Sequence, residues 1–199
     1  MIRVLVVDDH PAMRAGLRAV IDTEPGIVFA AQSDGEQQSL WCELERAKVN
    51  LVLLDYHLPR GDGLHLCYRM KRHHAPPRVL LYSAYASPGL ALTARLARAD
   101  GLVHKGIGAR ELFDAIRRVH RGDQVLAPLA PAVVEEAQRR LDPDSRPLVA
   151  MLLHGCPEQE AAEALRIDIA AVRQAVQQIL ARLALEIPTS SYPATRTTG

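Results

Sequence analysis

Val4-Leu5-Val6-Val7-Asp8-Asp9-His10-Pro11-Ala12-Met13-Arg14 sets two adjacent carboxylates at the end of an apolar run. Like charges side by side repel, and each loses hydration where a strand end is enclosed. Asp8 and Asp9 therefore call for a nearby cation, unless they merely open a loop in which Asp9 or His10 caps a helix with Pro11 in its first turn. The surrounding chain bears on that choice.

Short apolar runs recur along the chain, at 2–7, 26–32, 51–55, 78–83 and 101–105. Between them lie segments with helical spacing, at 12–21, 35–47, 64–72, 87–98 and 109–121. In the last of these Leu112, Ile116 and Val119 form one face, with Arg117, Arg118 and Arg121 outside it. Continuous apolar strands alternating with helices predict an α/β fold, a doubly wound parallel sheet covered on both faces. Such sheets bind ligands beyond the carboxyl ends of their strands. That rule gathers Asp8, Asp9, Asp55, Ser83 and Lys105 on one edge, because each ends its own run. The stretch Leu53-Leu54-Asp55-Tyr56-His57-Leu58-Pro59-Arg60-Gly61-Asp62-Gly63 is the most specific, a strand-end Asp followed by a Pro and Gly turn.

A chain of 199 residues with formal charge +1 has room for one such domain and a smaller second one. No apolar run approaches the ~20 residues needed to span a bilayer, and no secretory signal pattern opens the chain, so no membrane association and a cytoplasmic location are expected. Cys42, Cys67 and Cys156 are far apart, fitting neither a disulfide framework nor zinc-ligand spacing, and read as reduced thiols. Aromatic residues make up only 4% of the chain, which argues against a base-stacking surface.

Over residues 1–122 the pattern resembles the receiver domain of two-component response regulators. The residues that carry the resemblance are Asp8 and Asp9, Asp55 within its D-Y-H-L-P-R-G-D-G stretch, Ser83 followed by Ala84, and Lys105. It implies a flavodoxin-like (βα)5 fold with strand order 2-1-3-4-5. It also implies that Asp55 is the phosphoacceptor and that Mg²⁺, a hard cation suited to oxygen ligands, is held by Asp9, Asp55 and the backbone carbonyl of His57. Asp8 would act through metal-bound water, Lys105 would pair with phosphoryl oxygens, and Ser83 would donate its hydroxyl to one of them. Where the family carries an aromatic residue three places before the lysine, this chain has Leu102. Tyr85 could take part of that role or shape water access, and His57 stands at a position the family uses to tune dephosphorylation.

After Gly122, Pro128 and Pro131 mark a linker (123–140) with a helix over 133–140. From Leu141 three amphipathic helices are expected, with turns at Gly155 and at 166–169, closing a core of Leu165, Ile167, Val172, Val176, Ile179 and Leu183. Pro147 requires the first of them to start late. Residues 141–187 resemble the LuxR-type helix-turn-helix that follows receivers in the NarL/FixJ group, in which the helix beginning near Ile169 enters the major groove. Arg173, Gln174 and Gln177 are the expected DNA contacts. Ala171, Ala175 and Ser145 replace the Thr, His and Glu usual in that family. From Leu141 onward five arginines face seven acids, net −2, so DNA affinity from phosphate neutralisation should be weak without dimerisation. The tail 188–199 is Ser-, Thr- and Pro-rich and is expected to be disordered.

Two functions follow. The first is a transcription regulator, phosphorylated by a sensor histidine kinase, which homodimerises and binds promoter DNA. The second is a receiver-controlled protein-interaction or dimerisation module. An aspartate-nucleophile enzyme is disfavoured because no segment supplies a substrate cap.

Overall fold

The computed structural model describes residues 1–59 and 61–184, without the side chains of residues 37–39. The expected tail and residues 185–187 lie outside the described residues. Five parallel strands are present: β1 (Ile2–Val7), β2 (Ile27–Ser33), β3 (Leu51–Asp55), β4 (Arg78–Ser83) and β5 (Gly101–His104). Their order in the sheet is β2-β1-β3-β4-β5, as expected. A short antiparallel ribbon, His57–Leu58 with Gly61–Asp62, forms the turn after Asp55.

The strands are mainly apolar because both faces are covered, and their period of two sorts the side chains. Val4, Val6, Leu51 and Leu53 are buried with Leu17 and Ile21 of helix α1 (Pro11–Ile21) and with Leu112, Ile116 and Val119 of helix α5 (Ala109–Arg121). Leu5, Val7, Val52 and Leu54 turn the other way. They pack with helices α2 (Gln37–Arg46), α3 (Gly63–Met70) and α4 (Pro88–Leu96) through Leu40, Leu64 and Leu90. Helix starts follow local chemistry. Pro11 opens α1 and Pro88 opens α4, while the Asp62 carboxylate accepts from the His65 backbone N–H at 2.7 Å and the Ser87 hydroxyl from that of Leu90 at 3.1 Å. Gly122 ends α5 at φ 103°, a left-handed position that suits glycine.

Beyond α5 the chain runs beside β5, where Leu102 donates to Val125 and Val125 to Asp100, both at 2.8 Å. Helix α6 (Pro131–Arg139) then lies on α4. The helix expected from Leu141 onward is divided: a 3-10 turn, Pro143–Ser145, precedes α7 (Arg146–Leu153). Pro147 thus falls in the first turn, where its missing N–H would have had no partner. Two further helices, α8 (Glu158–Leu165) and α9 (Ile169–Ala184), are joined through Arg166 at φ 55°. Val172, Val176, Ile179 and Leu183 are buried as expected, but Ile167 is 43% exposed. It sits in the turn just past that left-handed residue, and the reversal carries its side chain outward, correcting its placement in the core.

The buried cluster under α3 and α4 continues without a break into Leu148, Val149, Ala161, Val172 and Ile179 of the C-terminal helices. Among the described residues no helix is long and apolar enough to cross a membrane.

Candidate functional site

The carboxyl edge of the sheet collects the residues that the strand-end rule selected. β1 delivers Asp8 and Asp9, β3 ends in Asp55, β4 ends in Ser83, and Lys105 follows β5. One ligand atom each from Asp8, Asp9, His10 and Asp55 lies within 4.8 Å of the others. Asp8, Asp55 and Ser83 are buried, so the repulsion between the two carboxylates is poorly screened. Lys105 meets that charge: its Nζ donates to Asp8 Oδ2 and Asp55 Oδ2, each at 2.8 Å.

Burial raises the Asp55 carboxyl above its ordinary value; bonding to Lys105 opposes the rise without cancelling it. Burial by itself would depress the Lys105 ammonium, but its bonds to the two carboxylates outweigh that and lift it. The Lys105 backbone is held as well. Its N–H donates to the Ser83 carbonyl at 2.8 Å, and its own carbonyl accepts from the Tyr82 hydroxyl at 3.0 Å. The Ser83 hydroxyl oxygen accepts from the Tyr85 N–H at 3.0 Å.

The donor set is one that a hard cation favours. Asp9 Oδ1 is buried and accepts no hydrogen bond, although His10 Nδ1 lies 2.7 Å away. A buried carboxylate oxygen that accepts no hydrogen bond, beside two further carboxylates, fits a divalent metal. Both readings of the opening stretch therefore hold together: His10 is the N-cap residue of α1 with Pro11 behind it, and the acidic pair is also part of the cluster.

Some contacts were not anticipated from the sequence. His10 joins the acidic group, a position its adjacency to Asp9 could have suggested, and Arg14 donates to the Asp8 carbonyl at 2.6 Å. His57 lies edge-on to Tyr56 and Tyr85, with ring centroids 4.5 and 5.7 Å away, and its Nε2 is buried without a hydrogen bond. His73 stacks on Trp41 at 5.4 Å and His74 lies beside it, outside any metal cluster among the described residues.

The expected DNA contacts do not form one open face. α9 packs against α3 and α4. Arg173 is half-buried with its Nε 3.5 Å from Glu158 Oε2, Gln174 is exposed, and the Gln177 carbonyl accepts from His65 Nε2 at 3.1 Å. The sequence alone did not reveal this packing, because an amphipathic helix does not say which surface covers its apolar stripe.

Comparison with known proteins agrees with this geometry. Residues 4–117 match the family model of the response regulator receiver domain. The DNA-binding transcriptional activator DevR/DosR of Mycobacterium tuberculosis is 28% identical over 196 residues, covering 94% of this chain and 90% of that protein. The nitrate/nitrite response regulator protein NarL of Escherichia coli is 26% identical, covering 92% and 89%. Among solved structures, the response regulator ChrA of a heme-sensing two-component system superposes with a TM-score of 0.53 at 28% identity, covering 92% of this chain and 90% of that one.

Proposed function

The chain belongs to the response regulator receiver family, and on that premise we propose that it is a transcription regulator switched by phosphorylation of Asp55. A sensor histidine kinase is the donor. An Asp55 carboxylate oxygen forms the new bond to phosphorus as the phosphohistidine P–N bond breaks. Asp8, Asp9, Asp55 and the His57 backbone carbonyl would hold Mg²⁺. Bound there, it would offset the charge gathered around the transferred oxygens. Lys105 takes up the phosphoryl charge, and Ser83 donates its hydroxyl to a phosphoryl oxygen. The observation that carries this reading is the meeting of Asp8, Asp9 and Asp55 with Lys105 at one strand edge.

In this reading residues 1–122 are the receiver, 123–140 a linker and 141–187 a helix-turn-helix that binds promoter DNA from a cytoplasmic homodimer. Relatives that match over nearly their whole length, one of them named a DNA-binding transcriptional activator, favour that output over a protein-interaction module. Packing of α9 on α3 and α4 supports phosphorylation control, because α9, held to His65 through the Gln177 carbonyl, must leave the receiver before it enters a groove.

The test is intact-mass spectrometry with an acyl-phosphate donor. One phosphoryl group should be added with Mg²⁺, and none in chelator or in Asp55→Asn. Labelling that persists in Asp55→Asn would overturn the assignment. Genomic-DNA enrichment with phosphorylated protein then tests the output, and enrichment no better than with Asp55→Asn would favour the interaction module.

A further inference from the structure

The loops bearing Ser83 and Lys105 are joined by a side chain with no role so far. His104 is paired in register with Ser83 across β4 and β5. Its Nε2–H donates to the carbonyl of Ala84, the residue after Ser83, at 2.7 Å. Its Nδ1 accepts from the N–H of Gly106, the residue after Lys105, at 2.9 Å. Both nitrogens are engaged, one as donor and one as acceptor, which selects the neutral Nε2–H tautomer. The ring is exposed, so these bonds rather than burial order it. Gly106 makes room for it: a Cβ there would lie 2.9 Å from His104 Nδ1 and 3.1 Å from its Cε1. Leu102, at the place of the family's aromatic residue, is aliphatic and has no polar atom with which to bond either loop.

We propose that His104 is a positioning residue for phosphoryl transfer, bracing the Ser83–Ala84 loop against the Lys105–Gly106 turn so that hydroxyl and ammonium stand together over Asp55. This rests on the reading of Asp55 as phosphoacceptor. His104 touches neither the donor nor the carboxylates; it acts through the two backbones it joins. Ser83 is placed by a loop whose next carbonyl is tied down, and losing that tie lets the hydroxyl wander from the orientation that meets the phosphoryl oxygen.

The experiment is a labelling time course on the full chain, with an acyl-phosphate donor and Mg²⁺, followed by intact-mass spectrometry. His104→Ala should slow labelling about tenfold, the equivalent of one well-placed hydrogen bond, while unfolding at the parent's urea midpoint because the side chain is exposed. His104→Gln, which keeps a donor able to reach the Ala84 carbonyl, should recover most of the rate; a merely structural role would predict no such rescue. Gly106→Ala should lower the rate with His104 intact, since the new methyl displaces the ring. Parent-like labelling by His104→Ala, or a His104→Gln no faster than His104→Ala, would overturn the proposal. A parent that takes up no phosphoryl group would instead overturn the reading of Asp55, and the proposal with it.

Discussion

Asp55 stands in an environment that disfavours its own charge. Burial raises its pKa, so above the raised value the ionised carboxylate costs folding free energy. That cost is relieved as pH falls through the folded value, and no difference remains below the ordinary carboxylate value of about 3.9. Asp55→Asn removes the charge and keeps the shape. It should therefore stabilise the metal-free chain at neutral pH by about 1 kcal/mol, with the gain shrinking on acidification. Urea titrations at pH 7 and pH 4.5 read both quantities; a variant less stable than the parent at pH 7 would mean that its bond to Lys105 outweighs desolvation. Lys105→Ala has the opposite sign. It leaves two buried carboxylates without their shared cation and should cost about 3 kcal/mol in the same titration.

The elements most sensitive to change are those that approach the site by backbone. Gly63 begins α3 directly beneath the end of β3, and a Cβ on it would lie 2.2 Å from the Asp55 carbonyl and 3.0 Å from Tyr56 Cα. Both are backbone atoms that cannot swing aside. Gly63→Ala should cost about 3 kcal/mol or more by overpacking and slow Asp55 labelling, because strand and helix must part. Gly16, in α1, has nothing within 4 Å of the same position, so Gly16→Ala is the control and should be neutral or slightly stabilising. Equal thermal midpoints for the two variants would refute the argument.

Across the whole molecule, receiver and C-terminal helices share one apolar core and a small polar seam. In that seam His65 faces the Asp62 carboxylate at 2.8 Å through Nδ1 and donates to the Gln177 carbonyl at 3.1 Å through Nε2. Two acceptors favour the doubly protonated ring, and the hydrogen bond to Asp62 raises its pKa first and foremost. The sign follows: this contact contributes fully below the ordinary histidine value of about 6.5 and is lost as pH rises through the raised one. The side chain is 32% exposed, so water screening holds its worth to about 1 kcal/mol. Hydrogen exchange in α9 should accelerate relative to the strands as pH rises across that range, after correction for intrinsic exchange. His65→Gln should flatten the difference, and a parent with none would remove His65 from the docking. The segment from residue 141 onward carries net charge −2, so taken alone it should bind DNA weakly and with a shallow salt dependence, about −0.9 in log–log slope per neutralised phosphate. Tight, steeply salt-dependent binding by that fragment would show that local geometry outweighs its net charge.

Strand and helix alternation, the carboxyl-edge rule and the end residues of four runs were enough to bring Asp8, Asp9, Asp55, Ser83 and Lys105 to one edge, because a parallel sheet buried on both faces imposes continuous apolar strands and leaves polar groups only at their ends. The late start of α7 was legible in Pro147, since proline fits only a first turn. The outward turn of Ile167 was not, because apolar periodicity carries no record of a left-handed residue just before it. Nor did periodicity disclose that His104 braces two loops or that α9 lies on α3 and α4. The contacts that cross between elements join residues 20 or more positions apart, as His104 to Ala84 and the 112 positions from His65 to Gln177 illustrate. Which surface an apolar stripe meets, and which carbonyl a ring nitrogen reaches, is set only when separately formed elements pack, and that the tertiary structure alone decided.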